Sequence, residues 1–371
     1  MQALILAAGR GERLRPLTET RPKVMLPVAN KPILQHNIEQ LSGLVEEVMI
    51  VVGYKAEIIK KHFGSDFCGI KIRYVTQEKQ LGTGHAMQQA EPFLKDRFLV
   101  LMGDNMYSRQ DIQKCLKHDF SILVKRVGNP GIFGVCMVKN GLLTDIVEKP
   151  KKPESNLSNA GLYVLDKTIF GHEQKLTERC EYEIVDPIRE LCKKSQIKAI
   201  EAIDFDYITY PWDLLRANEK VLKKTGSVID RSAKISRETR IEGPVAIGRN
   251  VELKNCVLRP FTSVGDSAVI GNFVEIKNSI IMPGTKIPHL SYVGDSIIGS
   301  NCNFGAGTKI GNLRFDDKPV KMMIKGKPVD SGLRKLGCVM GDDVKTGINA
   351  SIMPGATIGP GSYINPGSVF K

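Results

Sequence analysis

Residues 4–32 read LILAAGRGERLRPLTETRPKVMLPVANKP. The first four are apolar and predict a short buried strand, which runs into Gly9 and Gly11. Two glycines allow a tight turn whose backbone N–H groups can face an anion. Arg13 and Lys23 add positive charge within reach of that turn. The stretch therefore predicts a strand, a basic glycine-rich loop and a helix, an arrangement that binds phosphate.

A Gly-x-Gly pair alone is weak evidence, and this loop is neither a Walker A loop nor a complete G-x-G-x-x-G fingerprint. The whole stretch, however, resembles the signature of the sugar-1-phosphate nucleotidyltransferases, L-x-x-G-x-G-x-R-[LM]-x-P-L-T-x-x-x-P-K-x-[ML]-x-P. The matching residues are Gly9, Gly11, Arg13, Leu14, Pro16, Leu17, Thr18, Pro22, Lys23 and Pro27. The resemblance implies that a nucleoside triphosphate binds over the loop, against Leu6, Ala8, Gly9 and Gly11.

The composition sets limits on the class of protein. At 371 residues the chain is long enough for two domains. Because no apolar run approaches the roughly 20 residues that span a bilayer, we expect no membrane partner, and we expect no signal peptide. The eight cysteines form no C-x-x-C pair and have no histidine at metal-ligand spacing, which favours reduced thiols in a cytoplasmic protein.

The formal net charge of +13 is high. A nucleic-acid partner is one interpretation. The lysines are spread evenly, however, without a long basic run or interleaved aromatic residues. Anionic small substrates explain the charge more simply, and we expect no nucleic-acid partner.

Strand and helix patterns alternate from residue 3 to about 220. They include strands at Val48–Gly53, Ile70–Val75 and Phe98–Met102 and a helix at Ala56–Phe63. Such alternation predicts a Rossmann-like α/β domain with a mostly parallel, doubly wound sheet. Ligands bind beyond the carboxyl ends of such strands, where the Gly9 loop and Asp104 would both lie.

From Ile229 onward, aliphatic residues recur every six positions, and glycine often follows them. The predicted in-phase positions are Ile229, Ile235, Ile241, Ile247 and Leu253, then, after a one-residue slip, Leu258, Val264, Ile270, Ile276 and Met282, then Ile298, Phe304 and Ile310, and finally Met340, Thr346, Ile352, Ile358, Ile364 and Phe370. This period is typical of a parallel β-helix with three short strands per coil. The predicted domains are therefore 1–224 and 225–371.

The repeat resembles the hexapeptide acyltransferases, and that resemblance implies a left-handed coil and a homotrimer or a multiple of one. The general rule for parallel crossovers favours the right hand, so the predicted hand depends on the resemblance alone. Residues 311–338 break the period and contain seven basic residues. They predict a loop that leaves the coil, and long loops of this kind are often functional.

Two aspartates are candidate ligands of Mg²⁺, a cation that prefers oxygen ligands. Asp104 ends the sequence Leu-Met-Gly-Asp, and Asp213 ends Tyr-Pro-Trp-Asp. Both match metal ligands of the nucleotidyltransferases, although Asp213 could equally cap the helix that follows it, or do both. In the same family the residue matching Arg13 contacts the leaving pyrophosphate, and the residue matching Lys23 contacts the α-phosphate or pyrophosphate.

Further motifs imply base and sugar contacts. Residues 77–86 resemble the loop Q-x-x-x-L-G-T-x-x-A, in which Gln77, Gly82 and Thr83 would bind a pyrimidine, as in UTP or dTTP; His85 is expected to be structural. The implied contacts to the sugar 1-phosphate are Gly134, Glu148, Lys149, Asn159 and Glu183. The implied reaction is attack of the sugar-phosphate oxygen on the α-phosphorus, with pyrophosphate leaving and no covalent intermediate.

A second candidate centre lies in the β-helix. Residues 288–295, PHLSYVGD, are followed by Asn-Phe-Gly-Ala-Gly at 303–307 and by Asn312. The series resembles the acetyltransferase half of the bifunctional N-acetylglucosamine-1-phosphate uridyltransferases. His289 would be the general base in acetyl transfer from acetyl-CoA, because histidine titrates near neutral pH. Tyr292 and Asn312 would contact the amino sugar, and the loop lysines Lys318 and Lys321 its phosphate.

The chain departs from the bacterial pattern in three places. Leu313 replaces a tyrosine, the basic loop is longer, and the extended C-terminal tail is missing. It looks like the archaeal-type relatives, whose specificity is broader, so glucosamine- and galactosamine-1-phosphate both stay open.

Two alternatives also stay open. The β-helix could be a structural or regulatory module of an enzyme that only transfers nucleotides, such as a glucose-1-phosphate thymidylyl- or uridylyltransferase. The protein could also be a non-catalytic subunit like those of translation-factor exchange complexes. The intact set Arg13, Lys23, Asp104 and Asp213 weighs against the second alternative, and His289 with Asn312 weighs against the first.

Overall fold

The structure is a computed structural model that describes residues 1–178 and 180–371. It divides into two compact units. The first contains Met1–Arg10 and Ile33–Tyr207, and the second contains Gly11–Pro32 and Ile208–Lys371. The domains predicted from the sequence, 1–224 and 225–371, follow the chain and stay a prediction. The compact units instead group residues 11–32 with the C-terminal residues.

A ten-stranded sheet forms the centre of the first unit. Its strands are β1 Gln2–Leu6, β2 Glu47–Val52, β3 Asp66–Phe67, β4 Ile70–Thr76, β5 Arg97–Met102, β6 Ser121–Arg126, β7 Gly134–Lys139, β8 Leu142–Glu148, β9 Leu157–Asp166 and β10 Lys198–Glu201. The spatial order is β3-β4-β2-β1-β5-β9-β6-β10-β8-β7. The helices are α1 Ile33–Leu41, α2 Ala56–Phe63, α3 Thr83–Ala90, α4 Arg109–Cys115 and α5 Val185–Lys194. Strands β1, β2 and β5 are buried almost throughout, as continuous apolar runs in a covered sheet should be.

The prediction of a mostly parallel sheet holds for only half of it. Strands β4, β2, β1 and β5 are mutually parallel, but β9 pairs antiparallel with both β5 and β6, and β8 pairs antiparallel with β7 and β10. The second half was misjudged because its strands are linked by tight turns as well as helices. Asn140 and Gly141 both have positive φ between β7 and β8, the conformation of a two-residue hairpin.

The second unit is a coil of 21 two- to four-residue strands in three parallel, seven-stranded faces. The first face contains Val228–Ile229, Ala246–Ile247, Ser263–Val264, Ile280–Ile281, Ile297–Ile298, Val339–Met340 and Thr357–Ile358. The second contains Lys234–Ile235, Glu252–Leu253, Val269–Asn272, Lys286–His289, Asn303–Phe304, Lys345–Thr346 and Tyr363–Ile364. The third contains Arg240–Ile241, Val257–Leu258, Glu275–Lys277, Tyr292–Gly294, Lys309–Ile310, Ser351–Ile352 and Val369–Phe370.

The inward residues confirm the six-residue period with two corrections. Ile229 and Ile235 were predicted as inward positions, but they lie on the first strands of their faces, at the end of the β-helix, and are 44% and 39% exposed. The sequence predicted Met282 as an inward position, whereas Ile281 is the member of the buried core, together with Ile287 and Val293. The reason is a second one-residue slip after Ile276 and a third before Ile298, each a repeat of five instead of six. Met282 is itself buried, but it lies after its strand, where the next turn begins.

The predicted loop 311–338 contains a β-hairpin, Lys321–Ile324 with Lys327–Asp330, which we call the inserted hairpin. Its turn residues Lys325 and Gly326 both have positive φ, as a type I′ turn requires. Val320, Met322 and Ile324 are buried, so one side of the insertion is packed. The coil resumes at Val339.

The second unit also contains residues Gly11–Pro32, which we call the nucleotide loop. It has three short 3₁₀ turns, Glu12–Leu14, Leu17–Glu19 and Lys23–Met25, and a small hairpin that pairs Pro27–Val28 with Lys31–Pro32. Helix α6, Pro211–Thr225, precedes the coil. Within residues 1–178 and 180–371, no helix is both long and apolar enough to cross a membrane.

Candidate functional site

The nucleotide loop brings its glycine, Gly11, against a predicted catalytic lysine. Gly11 has φ +64°, and a Cβ built on it would lie 2.7 Å from the Cβ of Lys23. The hydroxyl of Thr18 donates to the Gly11 carbonyl at 2.9 Å. Lys23 is largely buried, whereas Arg13 lies exposed on the first 3₁₀ turn. Glycine is therefore needed here both for its backbone conformation and for its missing side chain.

Asp213 is the third residue of α6 and caps that helix from within its first turn, so it is not the N-cap residue that the capping alternative expected. Its Oδ2 accepts the backbone N–H groups of Thr209 and Tyr210, both at 2.8 Å, at the start of α6. Its Oδ1 lies 3.6 Å from the guanidinium of Arg216. Burial raises the pKa of the Asp213 carboxyl, while these hydrogen bonds and the charges of Arg216 and Lys23 oppose the rise. Capping occupies Oδ2, and the role of Asp213 as a metal ligand stays a prediction.

In the first unit, Gly9 and Asp104 lie at the same edge of the sheet. β1 and β5 are adjacent and parallel, with Leu6 paired to Met102, and the N–H of Gly103 donates to the Leu6 carbonyl at 2.9 Å. Asp104 is separated from the end of β5 by Gly103 alone and is half-buried. Both residues therefore lie beyond the carboxyl ends of adjacent strands, as ligand-binding residues of such sheets do. Leu6 and Ala8 are buried beneath them.

The predicted base-binding loop packs tightly. Gln77 is buried, and its side-chain amide donates to the Gly82 carbonyl at 3.0 Å and lies 3.0 Å from Nδ1 of His85. Gly82 has φ +98°, and a Cβ there would lie 2.5 Å from the carbonyl oxygen of Tyr182. His85 lies in α3 and contacts Gln77, and the structural role expected for it stays a prediction.

Thr83, the first residue of α3, connects this loop to a predicted sugar ligand. Its hydroxyl donates to a carboxylate oxygen of Glu183 at 3.2 Å and accepts the N–H of Ile184 at 3.1 Å. Glu183 is largely buried. Gln77, Gly82, Thr83 and Glu183 are thus brought together, although 100 residues separate Thr83 from Glu183.

The predicted sugar residues form a second group in the first unit. Gly134 pairs with Glu148 across β7 and β8, and a Cβ on Gly134 would lie 3.0 Å from the Glu148 carboxylate and 3.3 Å from the Cβ of Asn159. The Lys149 ammonium lies 2.7 Å from Glu148. Small size at Gly134 therefore leaves room for a carboxylate and an amide to converge on one point.

Two tyrosines that the sequence analysis missed support Asn159. Its side-chain amide donates to the hydroxyl of Tyr163 at 2.6 Å, and the hydroxyl of Tyr207 donates to its backbone carbonyl at 2.8 Å. Burial raises the pKa of both phenols, so they stay neutral and fix the amide by hydrogen bonds. Residues 159 and 163 share one side of β9, since strand side chains alternate, and that spacing could have indicated Tyr163.

On the β-helix, His289 ends a second-face strand and is exposed. Leu290 follows at the corner with φ +49°, a conformation that is uncommon for a branched apolar residue. The Ser291 hydroxyl and the Gly307 N–H both donate to the His289 carbonyl, at 2.7 and 3.3 Å. The corner therefore fixes the backbone of His289 while its ring is open to solvent.

Tyr292 and Asn312 meet on the neighbouring third face. The Asn312 amide donates to the Tyr292 hydroxyl at 3.3 Å and to buried Asp295 at 2.5 Å, and Asp295 also accepts from Asn278 at 2.8 Å. Burial, and then the charge of Asp295, raise the pKa of Tyr292. The four side chains form a connected polar network that we call the Asp295 network.

Two cations beside this network were missed by sequence reasoning. Lys277 lies 3.6 Å from the Asp295 carboxylate and pairs in register with Gly294, next to that aspartate. Arg259 occupies the same position one coil earlier, and its charge acts on Tyr292. The signal was available, because 259, 277 and 294 are one coil apart. The predicted phosphate lysines, Lys318 and Lys321, are exposed on the insertion, and no described hydrogen bond or ion pair joins them to the network.

The candidate metal ligands are two carboxylates. In the part of the chain that the structure describes, no three or more His, Cys, Asp or Glu residues are grouped to hold a metal ion. Asp104 and Asp213 are carboxylates; Asp104 lies just beyond the end of β5, and Asp213 lies in the first turn of α6. Oxygen donors of this kind fit Mg²⁺, which usually takes one or two protein carboxylates and completes its shell with water and phosphate. Five of the eight free cysteines are buried, as expected of apolar filler.

Comparison with known proteins agrees with this fold. The family profile "Nucleotidyl transferase" matches residues 2–221, and the profile "GMPPB C-terminal domain" matches 253–349. "Bacterial transferase hexapeptide (six repeats)" matches 337–371, which makes the coil a left-handed parallel β-helix. A solved structure of UDP-glucose pyrophosphorylase complexed with UDP-glucose aligns with a TM-score of 0.55 and 25% identity, over 60% of this chain and 98% of that one. By fold and site the protein is a nucleotidyltransferase that carries a hexapeptide β-helix.

Full-length relatives define the family more narrowly. "Bifunctional protein GlmU" of Methanocaldococcus jannaschii is 44% identical over 96% of this chain and 91% of its own length. The "Bifunctional sugar-1-phosphate nucleotidylyltransferase/acetyltransferase" of Sulfurisphaera tokodaii is 41% identical over 96% and 93%. The chain therefore belongs to the family of bifunctional sugar-1-phosphate nucleotidyltransferases and acetyltransferases.

Proposed function

We propose that this enzyme carries out two consecutive steps: it acetylates an amino-sugar 1-phosphate on the β-helix and then joins the product to a nucleotide. The amino sugar is glucosamine- or galactosamine-1-phosphate, and the nucleotide comes from UTP or dTTP. The observation that carries the proposal is the Asp295 network, which begins on the strand that follows exposed His289, because a purely structural coil has no need of it.

In the first step, His289 accepts the proton that the substrate amine loses as its nitrogen attacks the thioester carbonyl of acetyl-CoA. The C–S bond then breaks, and coenzyme A leaves as the thiol. Histidine suits this role because its ordinary pKa lies near neutrality. Tyr292 and Asn312 orient the sugar through hydrogen bonds, and Lys277, Arg259, Lys318 and Lys321 offer positive charge for its phosphate.

In the second step, an oxygen of the sugar 1-phosphate attacks the α-phosphorus, and the bond to pyrophosphate breaks. Gly134, Glu148, Lys149, Asn159 and Glu183 bind the sugar, while Gln77, Gly82 and Thr83 bind the pyrimidine. Arg13 and Lys23 stabilise negative charge on the phosphates. Asp104 and Asp213 would hold Mg²⁺, which when bound neutralises charge on the triphosphate.

We also propose assembly as a homotrimer, or a multiple of one, through the β-helix. Phe273, Leu290 and Ile348 lie on the corner that carries His289 and are 68%, 56% and 59% exposed. Large exposed apolar residues in a row are typical of protein interfaces. A second copy of the chain is the occupant that the family resemblance implies.

The test incubates the protein with glucosamine- or galactosamine-1-phosphate and acetyl-CoA and measures free thiol, beside pyrophosphate release with UTP and dTTP. The proposal expects both products. If no amino-sugar phosphate yields thiol while pyrophosphate is released, the β-helix is structural or regulatory. Controls without sugar are needed because Cys68 and Cys180 are exposed thiols.

A further inference from the structure

The nucleotide loop, Gly11–Pro32, shares its compact unit with the β-helix. Its contacts within that unit fall beside its two predicted catalytic residues. Such placement matters because side chains that bind a triphosphate must be kept in a productive geometry.

The first contact joins Arg21 to the coil. Its guanidinium donates to Asp342 at 2.5 Å and to the Ser300 hydroxyl at 3.0 Å, and the other Asp342 oxygen accepts the Ser300 N–H at 2.8 Å. The side chains of Arg21 and Asp342 are 19% and 10% exposed. Because both charges are largely removed from water, loss of either partner leaves the other unsatisfied, which is costly. Arg21 is separated from Lys23 by Pro22 alone.

The second contact joins the inserted hairpin to the turn that carries Arg13. Lys325, at the hairpin tip, lies 2.5 Å from the carboxylate of Glu12. Glu12 and Arg13 belong to the same 3₁₀ turn. A cleft of about 450 Å³ lies here, lined by residues of the loop, the hairpin and the coil. The two side chains are 57% and 43% exposed, so this pair contributes less than the first.

A third set of contacts closes the end of the loop. The Ala29 N–H donates to the Asn218 side chain at 2.8 Å, and that side chain donates in turn to the Phe261 carbonyl at 2.8 Å. The Asn30 amide donates to the Val264 carbonyl at 2.8 Å. The loop is therefore bonded to the coil or its insertion beside Arg13, beside Lys23 and at its end.

We propose that Asp342 and Lys325 are positioning residues for nucleotidyl transfer: they act through Arg21 and Glu12 to hold Lys23 and Arg13 ready for the triphosphate. The inference rests on the proposed role of those two residues. Releasing the loop adds an ordering cost to nucleotide binding, so KM for UTP or dTTP rises more than kcat falls. Acetyl transfer needs neither contact and stays unchanged.

The first test compares Asp342→Asn with Asp266→Asn. Asp266 occupies the same corner position on an earlier coil, where its Oδ1 accepts the Arg249 N–H at 2.8 Å and its Oδ2 the Arg249 guanidinium at 2.7 Å, without contact to the loop. Asp342→Asn should lower kcat/KM for the nucleotide roughly tenfold, the effect of weakening a hydrogen-bonded charge pair, mainly through KM. Asp266→Asn should leave it unchanged. Equal effects of the two variants would overturn the proposal.

If Asp342→Asn also loses acetylation, the coil itself is damaged, and Arg21→Gln, which leaves the coil intact, decides the matter. It must raise KM for the nucleotide while acetylation persists, or the proposal is wrong. For the hairpin, Lys325→Ala should lower kcat/KM about two- to fivefold, as expected for an exposed pair, and Lys327→Ala should not. Lys325→Glu alone should lower kcat/KM for the nucleotide, and adding Glu12→Lys should restore it, because the ion pair forms again with its charges exchanged.

The wild-type protein separates this inference from the proposed function. If the wild-type protein releases no pyrophosphate with any sugar 1-phosphate, that result disproves the function proposed above. It does not by itself disprove the positioning role. If the wild-type protein is active and every variant retains the wild-type KM for the nucleotide, the positioning role alone is disproved.

Discussion

The two candidate sites are assembled by different rules. In the first unit, Gly134, Glu148 and Asn159 converge because three strands of a mixed sheet pair in a particular order. On the β-helix, Arg259, Lys277 and the residue before Asp295 align because each follows the last by one coil. Partners on a solenoid can therefore be identified from sequence spacing, whereas partners on a sheet need its topology. The difference also predicts that the two activities can be separated by mutation.

Metal removal should separate the nucleotidyltransferase and acetyltransferase activities most strongly. Chelation of divalent ions should abolish pyrophosphate release, because the triphosphate charge is then no longer neutralised, and should leave acetylation unchanged. Both rates would be measured on one preparation before and after addition of EDTA, with Mg²⁺ restored as the control. Loss of acetylation on chelation would contradict the assignment of that step to His289 without a metal.

The complementary separation should come from His289→Ala. Removing a general base typically costs about 10²- to 10⁴-fold, so thiol release should fall by that amount while pyrophosphate release persists. Initial rates with saturating acetyl-CoA and UTP would measure this. Loss of both activities would instead indicate that His289 stabilises the coil.

A smaller effect should sharpen the account of the sugar site. Gly134→Ala places a methyl group 3.0 Å from the Glu148 carboxylate, closer than such contacts normally come. Displacing that carboxylate should raise KM for the sugar 1-phosphate by roughly tenfold, equivalent to about 1.4 kcal/mol, with little effect on KM for UTP. Gly128→Ala is the matched control, since a Cβ there meets no atom within 4 Å. Equal KM values for the sugar 1-phosphate in the two variants would show that Gly134 is not part of the sugar site.

The smallest effect concerns the Asp295 network. Tyr292→Phe removes the hydroxyl that accepts a hydrogen bond from the Asn312 amide at 3.3 Å. A single neutral hydrogen bond contributes about 1 kcal/mol, so KM for the amino-sugar phosphate should rise about two- to tenfold. Tyr363→Phe changes an exposed tyrosine elsewhere on the β-helix and should have no effect on acetylation. An unchanged KM in Tyr292→Phe would mean that the hydroxyl does not contact the substrate.

Sequence reasoning predicted the repeat well because every turn of the β-helix places an apolar residue at its inward positions, at a nearly constant spacing. It predicted Met282 as the inward residue where the structure has Ile281. The two are adjacent and both apolar, so a five-residue repeat and a six-residue repeat give almost the same sequence pattern there. It also missed the antiparallel half of the sheet, where the order of β9 and β6 depends on tertiary pairing that no local pattern records.

The site residues show the same limit. Motifs located Gln77, Thr83 and Glu183, yet only the structure shows that Thr83 donates to Glu183. Tyr163 and Lys277 belong to no quoted motif and emerge only through contacts with Asn159 and Asp295. The contact between Arg21 and Asp342 spans 321 positions and could not be read from spacing.

The membership of residues 11–32 in the β-helix unit has a consequence for recombining such enzymes. A chimera joined near residue 224 would pair a nucleotide loop from one parent with a coil from another, and Arg21 would then face a foreign partner at position 342. Parents that differ at 12, 21, 325 or 342 should give chimeras with impaired nucleotide binding. Exchanging residues 11–32 together with 208–371 would transplant the contacts intact, so the working module is discontinuous in sequence.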